Sequence, residues 1–246
     1  MKILGVIPAR YASTRFQGKP LIDLAGKSMI QRVYEQCLKA SSLIDLVVAT
    51  DDQRIADAVK AFNGKVVMTA DHHQSGTDRC AEVISKMPDF HAVINIQGDE
   101  PLINPEQIDL LATCFNDKNT VLATLVKQIK SNEELFNFNT PKVILNKKSE
   151  AIYFSRQVIP HLRNVSEADY LNQQNFYKHI GIYGYETKTL KDISQLPIGM
   201  LEKAEMLEQL RWIENGYAIK VAVTQHESLA IDSPEDVEKV LAALNG

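Results

Sequence analysis

Two rhythms of apolar residues alternate along the chain. Short apolar runs at 3–7 (Ile-Leu-Gly-Val-Ile), 43–50, 65–69 and 91–97 have the length of buried strands. Between them the spacing widens. Met29, Ile30, Val33, Tyr34, Cys37 and Leu38 recur at the interval that puts them on one face of a helix. Punctuation supports the boundaries. The first helix starts near Ser28, and Asp51-Asp52 can cap a second over 53–62, which Asn63-Gly64 ends. Thr77 can cap a third helix, carrying Ala81, Val83 and Ile84, and Asn104 followed by Pro105 opens a fourth. The first 115 residues thus read βαβαβαβα, which predicts a parallel sheet sandwiched by helices. The nearly continuous run at 91–97 predicts a central strand.

After residue 115 the rhythm changes. A strand is predicted at 120–127, a helical turn at 133–136, and a hairpin from 141–146 and 151–154 with Asn146-Lys147-Lys148-Ser149 at its turn. A polar loop at 160–174 leads to a strand at 178–185. One helix is predicted over 202–215, with Leu207, Leu210 and Ile213 inward and Gly216 as its stop. A strand at 217–223 and a helix at 233–244 finish the chain. The expectation is one α/β domain over 1–246, with a mostly parallel central sheet and an antiparallel elaboration inserted at about 141–185. Such patches often cover a partner subunit.

The stretch between the first strand and first helix is the most unusual. Residues 9–20 have no apolar period. They carry Arg10, Arg15 and Lys19, the hydroxyls of Ser13 and Thr14, and no acid. At about a dozen residues the loop exceeds the ~2–6 usual for βα connections, and it leaves a strand C-terminus, where α/β proteins bind ligands. Cations held together repel unless an anion neutralises them, so a polyphosphate is the natural occupant. Two phosphate motifs are excluded. A P-loop needs a glycine where Leu21 precedes Gly26-Lys27-Ser28 and where Ser13 precedes Gly18-Lys19, and no G-x-G-x-x-G occurs.

Charge narrows the partners. The 246 residues carry a formal net charge of −4, so the molecule as a whole is not built for nucleic acid or an anionic membrane. Three scattered cysteines inside helical patterns read as buried free thiols suited to a reducing compartment. No signal-like segment or membrane-length apolar run is present, which sets the expectation of a cytoplasmic protein. Adjacent His72 and His73 lack a third ligand at useful spacing, so no metal is expected there.

A polyphosphate site also calls for Mg²⁺ on one or two carboxylates. Asp99, after the 91–97 strand and at the sheet edge of the cationic loop, is the best placed. Asp232 is the second candidate. Either Ser233 caps the last helix with Asp236 at its third position, leaving Asp232 for other work, or Asp232 is itself the cap with Glu235 three residues on.

These residues lie in a longer pattern. IPARYASTRFQGKPL, SGTDR, QGDEPLI, YFSR, KHIGIYGY, EMLEQLR and IDSPEDVEKV follow one another over roughly 230 residues. Together they resemble the CMP-Kdo synthetase family, the 3-deoxy-manno-octulosonate cytidylyltransferases. The resemblance implies a Rossmann-like nucleotidyltransferase fold, homodimerisation through the antiparallel elaboration and Mg²⁺ dependence. The implied reaction is CTP plus Kdo giving CMP-Kdo and pyrophosphate, the activation step for lipopolysaccharide assembly. Carried over by residue, it assigns Arg10, Ser13, Arg15 and Lys19 to the triphosphate and Gln74, Ser75 and Gly76 to the nucleotide's cytosine side. Asp99 and Asp232 become Mg²⁺ ligands, and with Lys19 the catalytic set. Gln97, Arg156, His179, Tyr183, Glu208 and Gln209 become contacts to the sugar acid, Arg156 as a planar fork for its carboxylate. Phe16-Gln17 and Glu227-Ser228-Leu229-Ala230 depart from the family pattern, the second just before Asp232. The nearest rivals are a cytidylyltransferase for an amino-Kdo analogue or for sialic acid, and a non-catalytic CTP-binding regulator.

Overall fold

A computed structural model describes residues 1–12, 16–227 and 229–245. In chain order the first half holds β1 (Ile3–Pro8), α1 (Met29–Cys37), β2 (Asp45–Thr50), α2 (Gln53–Ala61), β3 (Val66–Met68), α3 (Gly76–Lys86), β4 (Ala92–Asn95) and α4 (Pro105–Thr113). The second half holds β5 (Leu122–Gln128), α5 (Asn132–Phe136), β6 (Lys142–Leu145), β7 (Ala151–Ser155), α6 (Tyr170–Gln173), β8 (Tyr177–Glu186), α7 (Thr187–Ile193), α8 (Met200–Glu205), α9 (Gln209–Glu214), β9 (Lys220–Thr224) and α10 (Glu235–Asn245).

The main sheet runs β3-β2-β1-β4-β8-β5-β9. β8 is antiparallel to both its neighbours there, and every other pairing on this path is parallel. Alternation along β1 shows why the sheet is covered on both faces. Ile3 and Ile7 pack with Ile30 and Val33 of α1, Ile55 of α2 and Ile108 of α4. Leu4 and Val6 pack on the other side with Val83 and Ile84 of α3, Leu190 of α7 and Trp212 of α9. The period of two thus feeds two cores from one strand.

The first helix starts as expected after Ser28, whose hydroxyl accepts from the Gln31 N–H, and the predicted capping is met at Asp52 and at Asn104. It is corrected at the third helix. Ser75, not Thr77, is the cap, paired with Asp78 in a reciprocal capping box, which puts Thr77 inside the first turn and buries it. Cys37, Cys80 and Cys114 are buried free thiols, and burial pushes each thiol's pKa up.

Two larger expectations change. The strand at 178–185 is not the far edge of an insertion. β8 sits inside the main sheet between β4 and β5, and the β6–β7 hairpin hangs on its first residues. Alternation marks a strand but does not choose its neighbours. The helix over 202–215 is two helices, α8 and α9, separated at Met206, whose backbone is left-handed (φ 53°, ψ 46°). The polar loop at 160–174 also contains the short turn α6, and α7 begins where the strand prediction stopped.

A small separate core explains how the chain's end reaches its beginning. Ile231 and Val240, from the α10 region, are buried with Leu24 and Met29 beyond the cationic loop.

Candidate active site

The order β3-β2-β1-β4 contains a switch point. From β1 the chain winds outward through β2 to β3, then crosses back through α3 to β4 on the other side of β1. The crevice beyond the carboxyl ends of β1 and β4 is where such sheets bind ligands. A cleft of about 250 Å³ lies there, lined by Arg10, Lys19, Gln74, Ser75, Gln97 and Asp99 among others. Gly98 lets its two walls approach, because a Cβ there would stand 2.9 Å from the Pro8 carbonyl oxygen. Gln74, Ser75 and Gly76 bring the N-terminus of α3 to the same cleft, a backbone arrangement suited to an anion.

Lys19 is the hinge pin of the polar wall. Its Nζ donates to Asp99 Oδ2 at 2.7 Å and to the Ile231 carbonyl at 2.8 Å. The Ile231 N–H in turn donates to the Asp99 carbonyl at 2.9 Å. The two candidate carboxylates, 133 positions apart in sequence, are therefore on adjoining segments, since Asp232 follows Ile231 directly. At 232–236 the Asp236 carboxylate reaches back over the start of the last helix. It accepts from the Asp232 and Ser233 N–H groups and the Ser233 hydroxyl. Lys239 beside it, with those N–H groups, holds its pKa down to about 2.

Among the described residues no three or more His, Cys, Asp or Glu stand together as a group that could hold a metal on their own. His73 meets Glu82 at 2.5 Å. Asp99 lines the cleft and Asp232 lies on the adjoining segment, and one or two carboxylates with water and phosphate oxygens are the ligand set that suits Mg²⁺.

The sugar-side residues divide. Gln97 lines the cleft, its stem 3.8 Å from where a Cβ on Gly181 of β8 would stand. His179 and Tyr183 project from β8, ring centroids 5.1 Å apart, with Tyr183 edge-on to Trp212 at 5.1 Å. His179 Nε2 lies 2.9 Å from the Thr124 hydroxyl, and burial lowers its pKa to about 3, so the ring is neutral. Burial raises the Glu208 carboxyl, although the hydroxyls of Ser75 and Thr77 pull it the other way. Gln209 is buried, and its Nε2 has no hydrogen-bond partner. Arg156 lies elsewhere, on an aromatic cavity of about 280 Å³ with Phe136, Phe138 and Tyr170. Its fork donates to the carbonyls of Glu205 (2.7 Å), Phe138 (3.2 Å) and Met206 (3.3 Å). The fork expected for the sugar carboxylate is engaged here with main-chain carbonyls. Ser13 and Arg15 lie outside the described residues.

Some contributors escaped the sequence reading. Thr77 donates to Glu208 Oε2 at 2.8 Å and lies 3.2 Å from the Tyr185 hydroxyl, which Asn95 approaches at 3.5 Å. This relay joins α3, β4, β8 and α9 behind Glu208. Its members occupy ordinary helix and strand positions, so only the Ser-x-x-Asp box that ends the loop at Ser75 hinted where α3 begins.

Fold and site define an α/β protein of the nucleotidyltransferase kind, with a cationic cleft at its switch point suited to a polyphosphate. The family model for cytidylyltransferases matches residues 4–223. A 3-deoxy-manno-octulosonate cytidylyltransferase of Parabacteroides distasonis is 58% identical over 250 residues, covering 99% of this chain and 98% of that protein. The protein of the same name in Bacteroides thetaiotaomicron is 56% identical, covering 97% and 96%. The solved structure of a CMP:2-keto-3-deoxy-manno-octonic acid synthetase complexed with CTP superposes with a TM-score of 0.92 at 42% identity, covering 100% of this chain and 99% of that one. A cytidylyltransferase from Leptospira borgpetersenii, 15% identical with a TM-score of 0.64, shares the fold. The chain belongs to the family of 3-deoxy-manno-octulosonate cytidylyltransferases.

Proposed function

We propose that this chain transfers CMP from CTP to the anomeric hydroxyl of 3-deoxy-D-manno-octulosonate, releasing pyrophosphate. The observation that carries the reading is the cleft in which Lys19 joins Asp99 to the segment of Asp232, facing the α3 N-terminus. The hydroxyl oxygen forms a bond to the α-phosphorus, the bond from that phosphorus to the bridging oxygen of the leaving pyrophosphate breaks, and the hydroxyl proton passes to solvent. The obstacle is repulsion, since a sugar carrying its own carboxylate must approach a polyanion. Arg10, Lys19 and the α3 N-terminus offset that charge, and such transfers depend mainly on positioning and electrostatics. Asp99 and Asp232 are the residues that would hold Mg²⁺. The ion would supply charge neutralisation at the α-phosphate and a lowered hydroxyl pKa. Glu208, Gln209, Gln97, His179 and Tyr183 form the sugar side. Neutral His179 and buried Tyr183 offer hydrogen bonds there without adding charge of their own.

The same reading includes a homodimer. Exposed apolar side chains at Phe138, Ile152, Met200 and Met206 support it, and sedimentation equilibrium tests it. No helix among the described residues is long and apolar enough to cross a membrane. The deciding experiment is pyrophosphate release with CTP against a panel of 3-deoxy sugar acids. Turnover with Kdo and CTP, and weak turnover with UTP or ATP, is expected. Equal turnover with all three nucleotides refutes the CTP assignment, and preference for sialic acid or amino-Kdo refutes the sugar assignment.

A further inference from the structure

The interruption at Met206 has an identifiable cause. Residues 202–215 carry the spacing of one helix, yet Met206 is left-handed, a conformation unfavourable for a residue with a side chain. The carbonyls of Glu205 and Met206 would, in an unbroken helix, accept from the N–H groups of Gln209 and Leu210. Arg156 takes both instead, through Nε and Nη2, and the Leu210 N–H turns to the Leu207 carbonyl at 3.2 Å. The Glu205 carboxylate completes the grip from the other side. It accepts from the Ser155 hydroxyl at 2.6 Å and from the Arg156 N–H at 2.9 Å, so the end of β7 holds both the side chain and the main chain at the break.

The consequence falls on the next residues. In one helix with Leu207, Leu210 and Ile213 inward, Glu208 would point roughly 160° and Gln209 roughly 100° from the core direction. After the break, Gln209, Leu210 and Trp212 are the buried set of α9, and Glu208 reaches Thr77. We propose that Glu205 is a positioning residue, which with Ser155 locks the break so that Glu208 and Gln209 turn into the sugar side of the site. This rests on the reading that those two residues meet the sugar acid.

The test uses the full chain as Glu205→Ala, Glu205→Gln, Ser155→Ala and the double variant Glu205→Ala with Met206→Gly. KM values for Kdo and for CTP are measured separately in each. Trp212 supplies a readout independent of turnover, because it is the only tryptophan, is 1% exposed, and lies on α9 against Tyr183 and Tyr185. Glu205→Ala should raise the KM for Kdo about tenfold and leave that for CTP within about twofold. Glu205→Gln, which keeps an acceptor oxygen, should fall between wild type and Ala. Met206→Gly should recover part of the loss, since glycine adopts the left-handed conformation without a clamp. Equal rises in both KM values, or no rise in either, overturn the proposal. If Glu205→Ala does not fold, Glu205→Gln and Ser155→Ala carry the same comparison. If the wild type turns over no sugar acid, the proposed function has failed, and acrylamide quenching of Trp212 decides the clamp alone: increased quenching in the variants upholds it and unchanged quenching overturns it.

Discussion

Lys19→Met separates the fastening role that the geometry gives to its ammonium from the nucleotide role in the proposed function. The substitution keeps an apolar stem and removes the charge. The Lys19 side chain is 16% exposed and that of Asp99 26%, so the pair is neither fully screened nor fully desolvated. Two hydrogen bonds from a charged donor at about 1.5–3 kcal/mol each, less the gain when Asp99 takes up water, leave a net loss of about 2–3 kcal/mol. For a chain of this length that lowers Tm by about 4–12 °C. The second role is toward the nucleotide. Facing the charge of the terminal phosphates, Lys19 should matter for CTP and little for CMP. A loss of about tenfold to a hundredfold is expected for CTP, corresponding to about 1.4–2.8 kcal/mol, against about threefold or less for CMP. The wild-type gap between the two ligands should also narrow as salt rises, because screening weakens attraction between partly exposed charges. Calorimetric titration of both ligands into both proteins, at low and moderate salt with Mg²⁺ fixed, reads the ratio. A lowered Tm with an unchanged CTP-to-CMP ratio would leave Lys19 as a fastener between Asp99 and Ile231 and refute its part in the triphosphate site. An unchanged Tm would refute the fastener.

Three further outcomes are expected. Asp99→Asn and Asp232→Asn should each abolish Mg²⁺-dependent turnover with the fold retained, since a lost metal ligand costs several kcal/mol at the transition state; activity within about threefold of wild type removes that residue from the metal site. Gly98→Ala should destabilise the protein by about 1–3 kcal/mol in urea denaturation, because the new methyl meets the Pro8 carbonyl, which is backbone and cannot swing aside; an unchanged midpoint would show that the walls can part freely. His179 has its pKa lowered from 6.5 to about 3 by burial, so below pH 6.5 the unfolded chain binds a proton that the folded chain refuses. Its contribution is complete above that pH and is lost as pH falls, at up to about 1.4 kcal/mol per pH unit. His179→Gln should therefore flatten the loss of urea stability between pH 6.5 and about 4.5, above the range where carboxylates dominate, and parallel curves for the two proteins would contradict it.

Local chemistry determined much of this protein. Apolar periods marked most of the strands and helices because burying one face is a condition each element meets along its own length. Ser28, Asp52 and Asn104 announced their helices because a cap acts within three residues. The acid-free loop and Asp99, just past the 91–97 run, pointed to the cleft beyond β1 and β4 for the same reason, since charge and position after a strand are local facts. What only the tertiary structure decided depends on segments far apart in sequence. β8 entered the main sheet because β4 and β5 offered their edges to it. Arg156 takes the main-chain acceptors at a helix break fifty residues downstream, where Ser155 holds the Glu205 carboxylate. Lys19 brought the segments of Asp99 and Asp232 together through one ammonium group. A hydrogen bond between distant residues leaves no spacing along the chain to read, and it exists only once the core has brought its two ends together.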